Sequence, residues 1–406
     1  MFTALEEAGA FGPASLLKTL VSTDERADWN AMFCPPVLAS DELRTRLGPT
    51  LGAGSFMTAY KDLLNPVHRP KRLKTVRTTS SKMDSRVIGH AHESFTANTC
   101  ENDDDESWNL EHMVTSIRAG ILFRKGNSGY ACPYVVAVEQ FSFVVHEDGS
   151  ASFLLMMRQF DSSLRRSPLL PNAGRNYRLA SKMCYSLVRS ILAVRNEGMF
   201  QNDGGPSNVG VTIEDDPDAV CELPENRYNI NVQVCDFGSA KRIGSRSLPS
   251  SYKNPCYMSP EELDASRRCR NYVVDDAAIS WSAGYLLLYI LRGGRSIFSE
   301  RPPALPTGTK QGKIDVAWRE RVALEHAKFM KTYSTKRKAA ELNEKGGNAW
   351  TLAAYMLMHP NPQKRYKLDE VWAMIHPSLT TSHSPSVALL LSNIPQKAEE
   401  KSDSDI

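Results

Sequence analysis

The spacing of apolar residues changes along the chain, and this change constrains the fold more than any other feature of the sequence. Between Leu47 and about Met157 it contains short apolar runs, among them MTAY, RLKTVR, YVVAVEQFSFVV and ASFLLMM. Such runs predict strands, and HEDGSA at residues 146–151 predicts the turn of a hairpin. From residue 175 onward apolar positions recur at helical spacing, as in YRLASKMCYSLVRSILAV, which is followed by a glycine in NEGMF. This order predicts an α+β protein with two lobes, a small β-rich N-lobe and a larger, mainly helical C-lobe.

The segments around these two regions set the expected domain limits. We expect an N-terminal extension over residues 1–44 and a flexible tail over residues 379–406. Between them we expect a main domain over residues 45–378, with the N-lobe at 45–157 and the C-lobe at 158–378. A polar stretch at about 77–107 carries ENDDDES and is predicted to be a flexible insertion in the N-lobe. LEHMVTSIRAGILF at 110–123 has helical spacing and predicts a helix after it.

The composition is that of a protein able to bury a core, with 406 residues, 41% apolar and 23% charged. A formal charge of +3 predicts neither a nucleic-acid partner nor a membrane partner. The eight cysteines include no CxxC pair, which indicates free thiols in a reducing compartment. The start lacks a positive signal-peptide region, and the longest apolar run, WSAGYLLLYIL, is too short to span a bilayer. We expect an intracellular soluble protein of the cytoplasm or nucleus.

A glycine-rich turn lies near the start of the predicted N-lobe. LGAGSFMTAY places Gly52 and Gly54 between two predicted strands. Glycines there let backbone amides approach phosphate oxygens, because no Cβ stands in the way. An ordinary hairpin has the same spacing, and Phe56 suits either the tip of a ligand-covering loop or the core.

Lys74 is the candidate for neutralising nucleotide phosphates. It stands twenty-two residues beyond Gly52 in the strand-like RLKTVR. The alternative is that it is one cation of a solvated basic run that also contains Arg69, Lys71, Arg72 and Arg77. A phosphate-binding lysine needs a carboxylate to hold it extended. Glu111 on the following predicted helix is the first candidate, and Glu93 is the second.

Two polar motifs follow the amphipathic helix. QNDGGPSN at 201–208 places Asp203 and Asn208 five residues apart, and VCDFGSAKR at 234–242 ends a predicted strand at Asp236. An aspartate at a strand end can bind Mg²⁺ that bridges nucleotide phosphates. The spacing of the first motif suits a base that takes the proton of a substrate hydroxyl and a second metal ligand. We therefore predict Asp203 as the catalytic base and Asn208 and Asp236 as metal ligands.

A third motif predicts an ion pair. YKNPCYMSPEEL at 252–263 has the pattern of a helix start, with Ser259 as the cap and Pro260 at the first position. Further on, HPNPQKRYKLDEVWAMIHP places Arg365 before another helix. Pairing of Arg365 with Glu261 would give a buried ion pair that is costly to break from one side.

With these motifs in this order, the sequence resembles the eukaryotic protein kinase family over roughly residues 45–378. The resemblance implies two lobes that hold ATP with Mg²⁺, or alternatively Mn²⁺. It also implies transfer of the γ-phosphate to serine or threonine hydroxyls of protein substrates. The loop QNDGGPSN looks like that of some herpesvirus-like and other large-DNA-virus kinases.

The resemblance also assigns the nucleotide contacts. They are Leu51, Gly52, Ala53, Gly54, Ser55, Phe56, Ala59, Lys74, Glu111, Met157, Gln159 and Phe160. The hinge between the lobes is expected in FLLMMRQFDSSL, where Met157 gates the adenine pocket. The segment after DFG offers hydroxyls that are either phosphorylation sites or ordinary polar loop residues, namely Ser245, Ser247, Ser250, Ser251 and Tyr252.

The chain departs from the family pattern around the site. In the catalytic loop, Gln201-Asn202 replaces the family's His-Arg, and Gly205 replaces its lysine. Elsewhere, Asn254 replaces the segment threonine, Met57 replaces the third loop glycine, and Ile279 replaces the acidic residue before the WSAG turn. Replacement of the arginine indicates that a segment phosphate would not be recognised through that position.

Three functions follow from this pattern. Retention of Lys74, Asp203, Asn208 and Asp236 favours an active serine/threonine protein kinase. The departures favour a catalytically weak or dead pseudokinase that acts as a binding or scaffold module. A small-molecule phosphotransferase of related fold is the third, and the SPE segment with Arg365 argues against it.

Overall fold

The computed structural model describes residues 1–34, 38–39, 42–43, 47–53, 57–62, 86–91, 104–126, 132–215, 228–247, 253–304, 310–333 and 349–381. It is a mixed α and β structure, as the α+β prediction requires. The chain forms two compact units, of which the first is Met1–Asp161 with Cys235–Ala240 and the second is Ser162–Val234 with Lys241–Ile406.

The first unit combines a six-stranded sheet with helices. Its helices are α1 (Phe2–Glu7), α2 (Phe11–Leu20), α3 (Arg26–Met32) and α4 (Asp104–Gly126). Its strands are β1 (Leu38–Ala39), β2 (Leu47–Ala53), β3 (Met57–Asp62), β4 (Arg86–Ala91), β5 (Val135–Val136), β6 (Val138–Val145) and β7 (Ala151–Arg158). The sheet order is β1-β6-β7-β4-β3-β2, and only the β1–β6 pair is parallel.

The predicted turn between β6 and β7 is confirmed. Gly149 adopts φ 78°, a left-handed conformation that glycine tolerates, and its N–H donates to the carbonyl of His146 at 2.9 Å. The Asp148 carboxylate accepts from the Ser150 N–H at 2.9 Å. The alternating apolar residues of the two strands face the core through Phe141, Phe143 and Phe153.

The prediction of a flexible insertion at 77–107 is wrong for part of that stretch. Arg86–Ala91 forms β4, which pairs with β3 on one side and β7 on the other. The helix after it begins at Asp104, six residues before the predicted start at Leu110. Hydrogen bonds to two neighbouring strands stabilise β4, and a short run flanked by polar residues does not reveal those partners. The strand predicted for RLKTVR lies outside the described residues.

The residues expected as an N-terminal extension fold into the first unit. Leu17, Trp29 and Met32 are buried in one cluster with Ile117 and Phe141. The Trp29 ring meets the Phe141 ring edge-on, with the centroids 5.3 Å apart. The helices α1–α3 therefore contribute to the same core as the sheet.

The second unit is mainly helical. Its helices are α5 (Leu170–Ala173), α6 (Tyr177–Asn196), α7 (Pro260–Arg267), α8 (Asp276–Leu291), α9 (Gln311–Thr332), α10 (Ala349–Leu357) and α11 (Leu368–Thr381). Its strands are β8 (Ser162–Ser163), β9 (Met199–Phe200), β10 (Val209–Asp215), β11 (Tyr228–Cys235, whose last residue belongs to the first unit), β12 (Lys241–Arg242), β13 (Arg246–Ser247) and β14 (Tyr272–Val273). The predicted helices over YRLASKMCYSLVRSILAV and WSAGYLLLYIL and the two predicted strands after residue 208 are confirmed.

The long helices position the polar loops of this unit. Asn176 caps α6 by accepting from the Leu179 N–H at 3.1 Å, and Gly198 follows the helix at φ 70°. The hydroxyls of Ser186 and Ser190 on α6 accept from the β11 amides of Val232 and Val234 at 2.8 and 2.7 Å. Across the described ranges, every helix is too short or too polar to cross a membrane.

Candidate functional site

The loop between β9 and β10 holds Asp203 and Asn208 together. Pro206–Asn208 forms a short 3₁₀ turn, in which the Asn208 N–H donates to the Gly205 carbonyl at 3.0 Å. The Asn208 Nδ2 donates to the Asp203 carbonyl and to its Oδ2, both at 2.9 Å. The predicted base and the predicted metal ligand are therefore direct neighbours, and the amide fixes the orientation of the carboxylate.

The two glycines of this loop are required by their neighbours. A Cβ at Gly204 would lie 2.3 Å from the Ser282 Oγ, and one at Gly205 would lie 2.4 Å from the Tyr257 ring. Real Cβ atoms do not approach other atoms this closely. A side chain at position 205 would therefore meet the Tyr257 ring, which occupies the space beside the loop.

A neutral hydrogen bond holds Asn202, the residue before Asp203. The Tyr272 hydroxyl donates to the Asn202 Oδ1 at 2.6 Å, and both residues are buried. Burial, with the nearby Glu262 carboxylate, raises the pKa of Tyr272, so the phenol keeps its proton as the donor. The contact joins the loop to β14, which pairs with β13 after the DFG motif.

A buried ion pair lies next to this contact. The Lys253 Nζ donates to both carboxylate oxygens of Glu262 at 2.8 Å, and each side chain is 1% exposed. The same ammonium lies 5.5 Å from the centroid of the Phe200 ring, immediately before the loop. Lys253 therefore connects the segment before α7 to the strand that leads into the loop.

The predicted pairing of Arg365 with Glu261 is confirmed. The Arg365 guanidinium donates to the two Glu261 oxygens at 2.6 and 3.1 Å and to the Ala277 carbonyl at 2.7 Å. Ser259 caps α7 by accepting from the Glu262 N–H at 3.3 Å, and Pro260 is the first helical residue, both as predicted. Asn254 caps the preceding turn by accepting from the Cys256 N–H at 3.0 Å.

A small cavity lies behind the loop in the second unit. Its volume is about 20 Å³, which is room for about one water molecule. Gln201, Gly204, Ser282 and Ile279 line it among apolar side chains. Ile279 is 1% exposed, so an aspartate there would bury a charge in a largely apolar site.

The DFG motif belongs to the first unit and packs on α4. Asp236 adopts φ 59°, a left-handed conformation that is uncommon outside glycine but tolerated by aspartate. Its carboxylate is 41% exposed, and its Oδ1 lies 3.3 Å from the His112 Nε2. The Phe237 and Phe123 ring centroids are 4.9 Å apart. Asp236 follows the last residue of β11, as predicted.

The first glycine of the predicted turn lies within a strand and not between two strands, because β2 continues to Ala53. Gly52 lies opposite Ala59 in the β2–β3 ladder, and Ala53 lies opposite Thr58. Leu51 also belongs to β2. Gly54, Ser55 and Phe56 lie outside the described residues.

The remaining predicted contacts are placed as follows. Met157 lies near the end of β7, and Gln159 and Phe160 follow it shortly before the first unit ends at Asp161; all three are partly buried. Glu111 is exposed on α4. Lys74 and Glu93 lie outside the described residues, so their pairing stays a prediction. On the side of β3 away from β2 lies β4, whose sequence RVIGHA contains no lysine.

Sequence reasoning missed the side chains that support the two motifs. Around the 201–208 loop they are Lys253, Tyr257, Glu262 and Tyr272, and beside the DFG turn it is His112. Lys253, Tyr257 and Glu262 lie within the motif at 252–263, but its spacing does not reveal which groups they contact. Tyr272 lies outside the quoted motifs. In the described part of the chain, His, Cys, Asp and Glu side chains do not gather in groups of three or more that could hold a metal.

No protein-family model matches the chain, and no curated protein matches its sequence.

Proposed function

We propose that this chain is an ATP-dependent serine/threonine protein kinase with a two-lobed kinase fold. The observation that carries the proposal is the contact of the Asn208 amide with the Asp203 carboxylate at 2.9 Å. The order of the motifs along the chain supports it, together with the Arg365–Glu261 pair behind the predicted substrate segment.

In this proposal Asp203 accepts the proton of the substrate hydroxyl. The Asn208 amide donates to the Oδ2 of Asp203. This hydrogen bond orients the carboxylate, and the other oxygen, Oδ1, accepts the proton of the substrate hydroxyl. Preorganisation of this kind lowers the barrier because no reorientation is needed when the proton moves. The proposed substrates are proteins, with neither nucleic acid nor membrane as a partner.

The proposed metal ligands have the chemistry that Mg²⁺ prefers. Asn208 uses its Nδ2 as a donor to Asp203, so its amide oxygen is the atom that suits a hard cation. The Asp236 side chain is 41% exposed, so a cation can reach its carboxylate without a rearrangement that exposes it. When bound, Mg²⁺ or Mn²⁺ supplies neutralisation of the nucleotide phosphates.

The experiment is ³²P transfer from ATP with Mg²⁺ or Mn²⁺ to a general protein substrate. Asp203→Asn is expected to lower kcat about 10²–10⁴-fold, because it removes the base. Asp264→Asn is the matched control, since Asp264 pairs only with the exposed Arg268 and Arg270 in the contacts described for it. Equal transfer by wild type and Asp203→Asn would refute the kinase proposal.

The same assay tests the phosphate-binding lysine. Lys74→Met is expected to abolish transfer, with Lys71→Met as a control from the same basic run. Full activity of Lys74→Met beside an inactive Asp203→Asn would show that the base is correct and the lysine assignment is wrong.

One observation favours the second candidate, a pseudokinase that binds or scaffolds. Tyr257 fills the space beside Gly205, so the cation that the family pattern aims at the transferred phosphate has no room there. Loss of one preorganised group of this kind costs about 10²–10³ in rate. ATP-dependent thermal stabilisation without any transfer would favour the binding module.

A further inference from the structure

The DFG turn is shaped by one histidine on α4. The His112 side chain is 4% exposed, and its Nε2 lies 3.3 Å from the Asp236 Oδ1. A Cβ at Gly238 would lie 1.8 Å from the same nitrogen, so the imidazole ring fills the space next to this glycine. His112 therefore contacts both the acidic side chain and the backbone of the turn.

The left-handed conformation of Asp236 gains from such a support. A left-handed φ at a residue with a side chain is sparsely populated and persists where the surroundings hold it. Phe237 and Cys235, on either side of Asp236, are buried, whereas the Asp236 side chain is 41% exposed. The imidazole is thus a contact that limits where an otherwise accessible carboxylate can lie.

The helix that carries His112 is itself anchored. Arg118 donates to both Glu25 oxygens at 2.8 and 3.1 Å and to the Leu20 carbonyl at 2.8 Å. Lys125 pairs with Asp28 at 2.5 Å. Two ion pairs and a backbone bond therefore attach α4 to the N-terminal helices, which gives His112 a defined position.

We propose that His112 is a positioning residue, which holds the Asp236 carboxylate and the Gly238 turn in the arrangement needed to bind a divalent cation. The sequence predicts Glu111 on this helix as the first candidate to pair with Lys74. Glu111 is exposed, whereas the adjacent His112 contacts the DFG motif. The metal-binding part of this inference rests on the proposed kinase function. The positioning part concerns the protein without metal or nucleotide.

The first test uses metal-free, nucleotide-free full-length protein. Amide hydrogen exchange is measured for residues 235–240 in wild type, His112→Leu, His112→Gln and the control His146→Gln, which removes a histidine from the β6–β7 turn. His112→Leu is expected to speed exchange at Asp236–Gly238 on the order of tenfold while leaving β6 and β7 unchanged. His112→Gln, which keeps an N–H donor, is expected to restore most of the protection. If His112→Leu does not fold, His112→Asn gives the same comparison, because its side chain is too short to keep both contacts.

The second test is the Mg²⁺ concentration for half-maximal ³²P transfer. His112→Leu is expected to raise it about 10-fold or more with a much smaller change in kcat, because outer partners of a ligating carboxylate contribute about 10–100-fold to metal affinity. A purely structural role would lower kcat without moving the Mg²⁺ dependence.

Unchanged exchange at Asp236–Gly238 in a folded His112 variant would overturn the inference, as would faster exchange spread evenly over the first unit. No transfer by the wild type would refute the kinase proposal alone, since the exchange measurement still decides the role of His112.

Discussion

Replacing Glu262 with glutamine is expected to destabilise the second unit severely, because it leaves the Lys253 ammonium buried without its counter-charge. Both side chains are 1% exposed, and the ammonium donates to the two carboxylate oxygens at 2.8 Å. Removing one partner of such a pair costs about 3–5 kcal/mol. Replacing both, as Lys253→Met with Glu262→Leu, is expected to recover most of the loss or to exceed the wild type, because neither charge is then desolvated.

The assay is urea unfolding followed by hydrogen exchange of α8, which reports on the second unit separately from the first. Arg268→Gln is the control, since the Arg268 and Asp264 side chains are 63% and 37% exposed and such a surface pair contributes about 0–1 kcal/mol. A loss below about 1 kcal/mol for Glu262→Gln would refute the reasoning. The reasoning would also be refuted if the Lys253→Met, Glu262→Leu double variant were as unstable as Glu262→Gln. That result would show that the loss of stability comes from packing and not from the unpaired charge.

Two further changes test the second unit. Burial, with the charge of Arg365, lowers the pKa of His326 to about 3 from 6.5. Below pH 6.5 the unfolded chain takes up a proton that the folded chain excludes, so stability should fall by about 1.4 kcal/mol per pH unit down to about pH 3. His326→Phe should remove that contribution in urea unfolding at pH 6.5 and 5.5, and an unchanged slope would contradict the assignment. Gly205→Ala should cost about 1–3 kcal/mol, because its Cβ would lie 2.4 Å from the Tyr257 ring. Thermal melts should show the loss relieved by adding Tyr257→Leu, and a Gly205→Ala melt equal to wild type would show that the ring yields freely.

Local sequence patterns predicted the helices, turns and caps that depend mainly on their own residues. The helix α6 repeats apolar residues at helical spacing and ends before a glycine, and α8 is a continuous apolar run. The turn at 146–151 and the cap at Ser259 depend on a few consecutive residues. The pairing of Arg365 with Glu261, across 104 positions, was predicted from the two motifs that contain them and not from a local periodicity.

Elements stabilised by distant partners were not predictable in this way. The strand β4 is short, and its hydrogen bonds come from β3 and β7. The N-terminal helices α1–α3 have weak periodicity, and their buried residues become a core only against α4 and β6. The polar residues around β4 therefore led to the wrong prediction of a flexible insertion. The weak periodicity of the first 44 residues led to the prediction of an extension and did not reveal that α1–α3 pack into the core.

The sequence by itself determined where Asp203, Asn208 and Asp236 stand relative to the helix before them and the strands β10 and β11, because motif spacing and side-chain periodicity are local. Only the tertiary structure decided what surrounds them. Tyr272 reaches Asn202 across 70 positions, Tyr257 excludes a side chain at Gly205, and His112 contacts Asp236. These contacts depend on how segments far apart in sequence pack, and close packing leaves room for one arrangement of them.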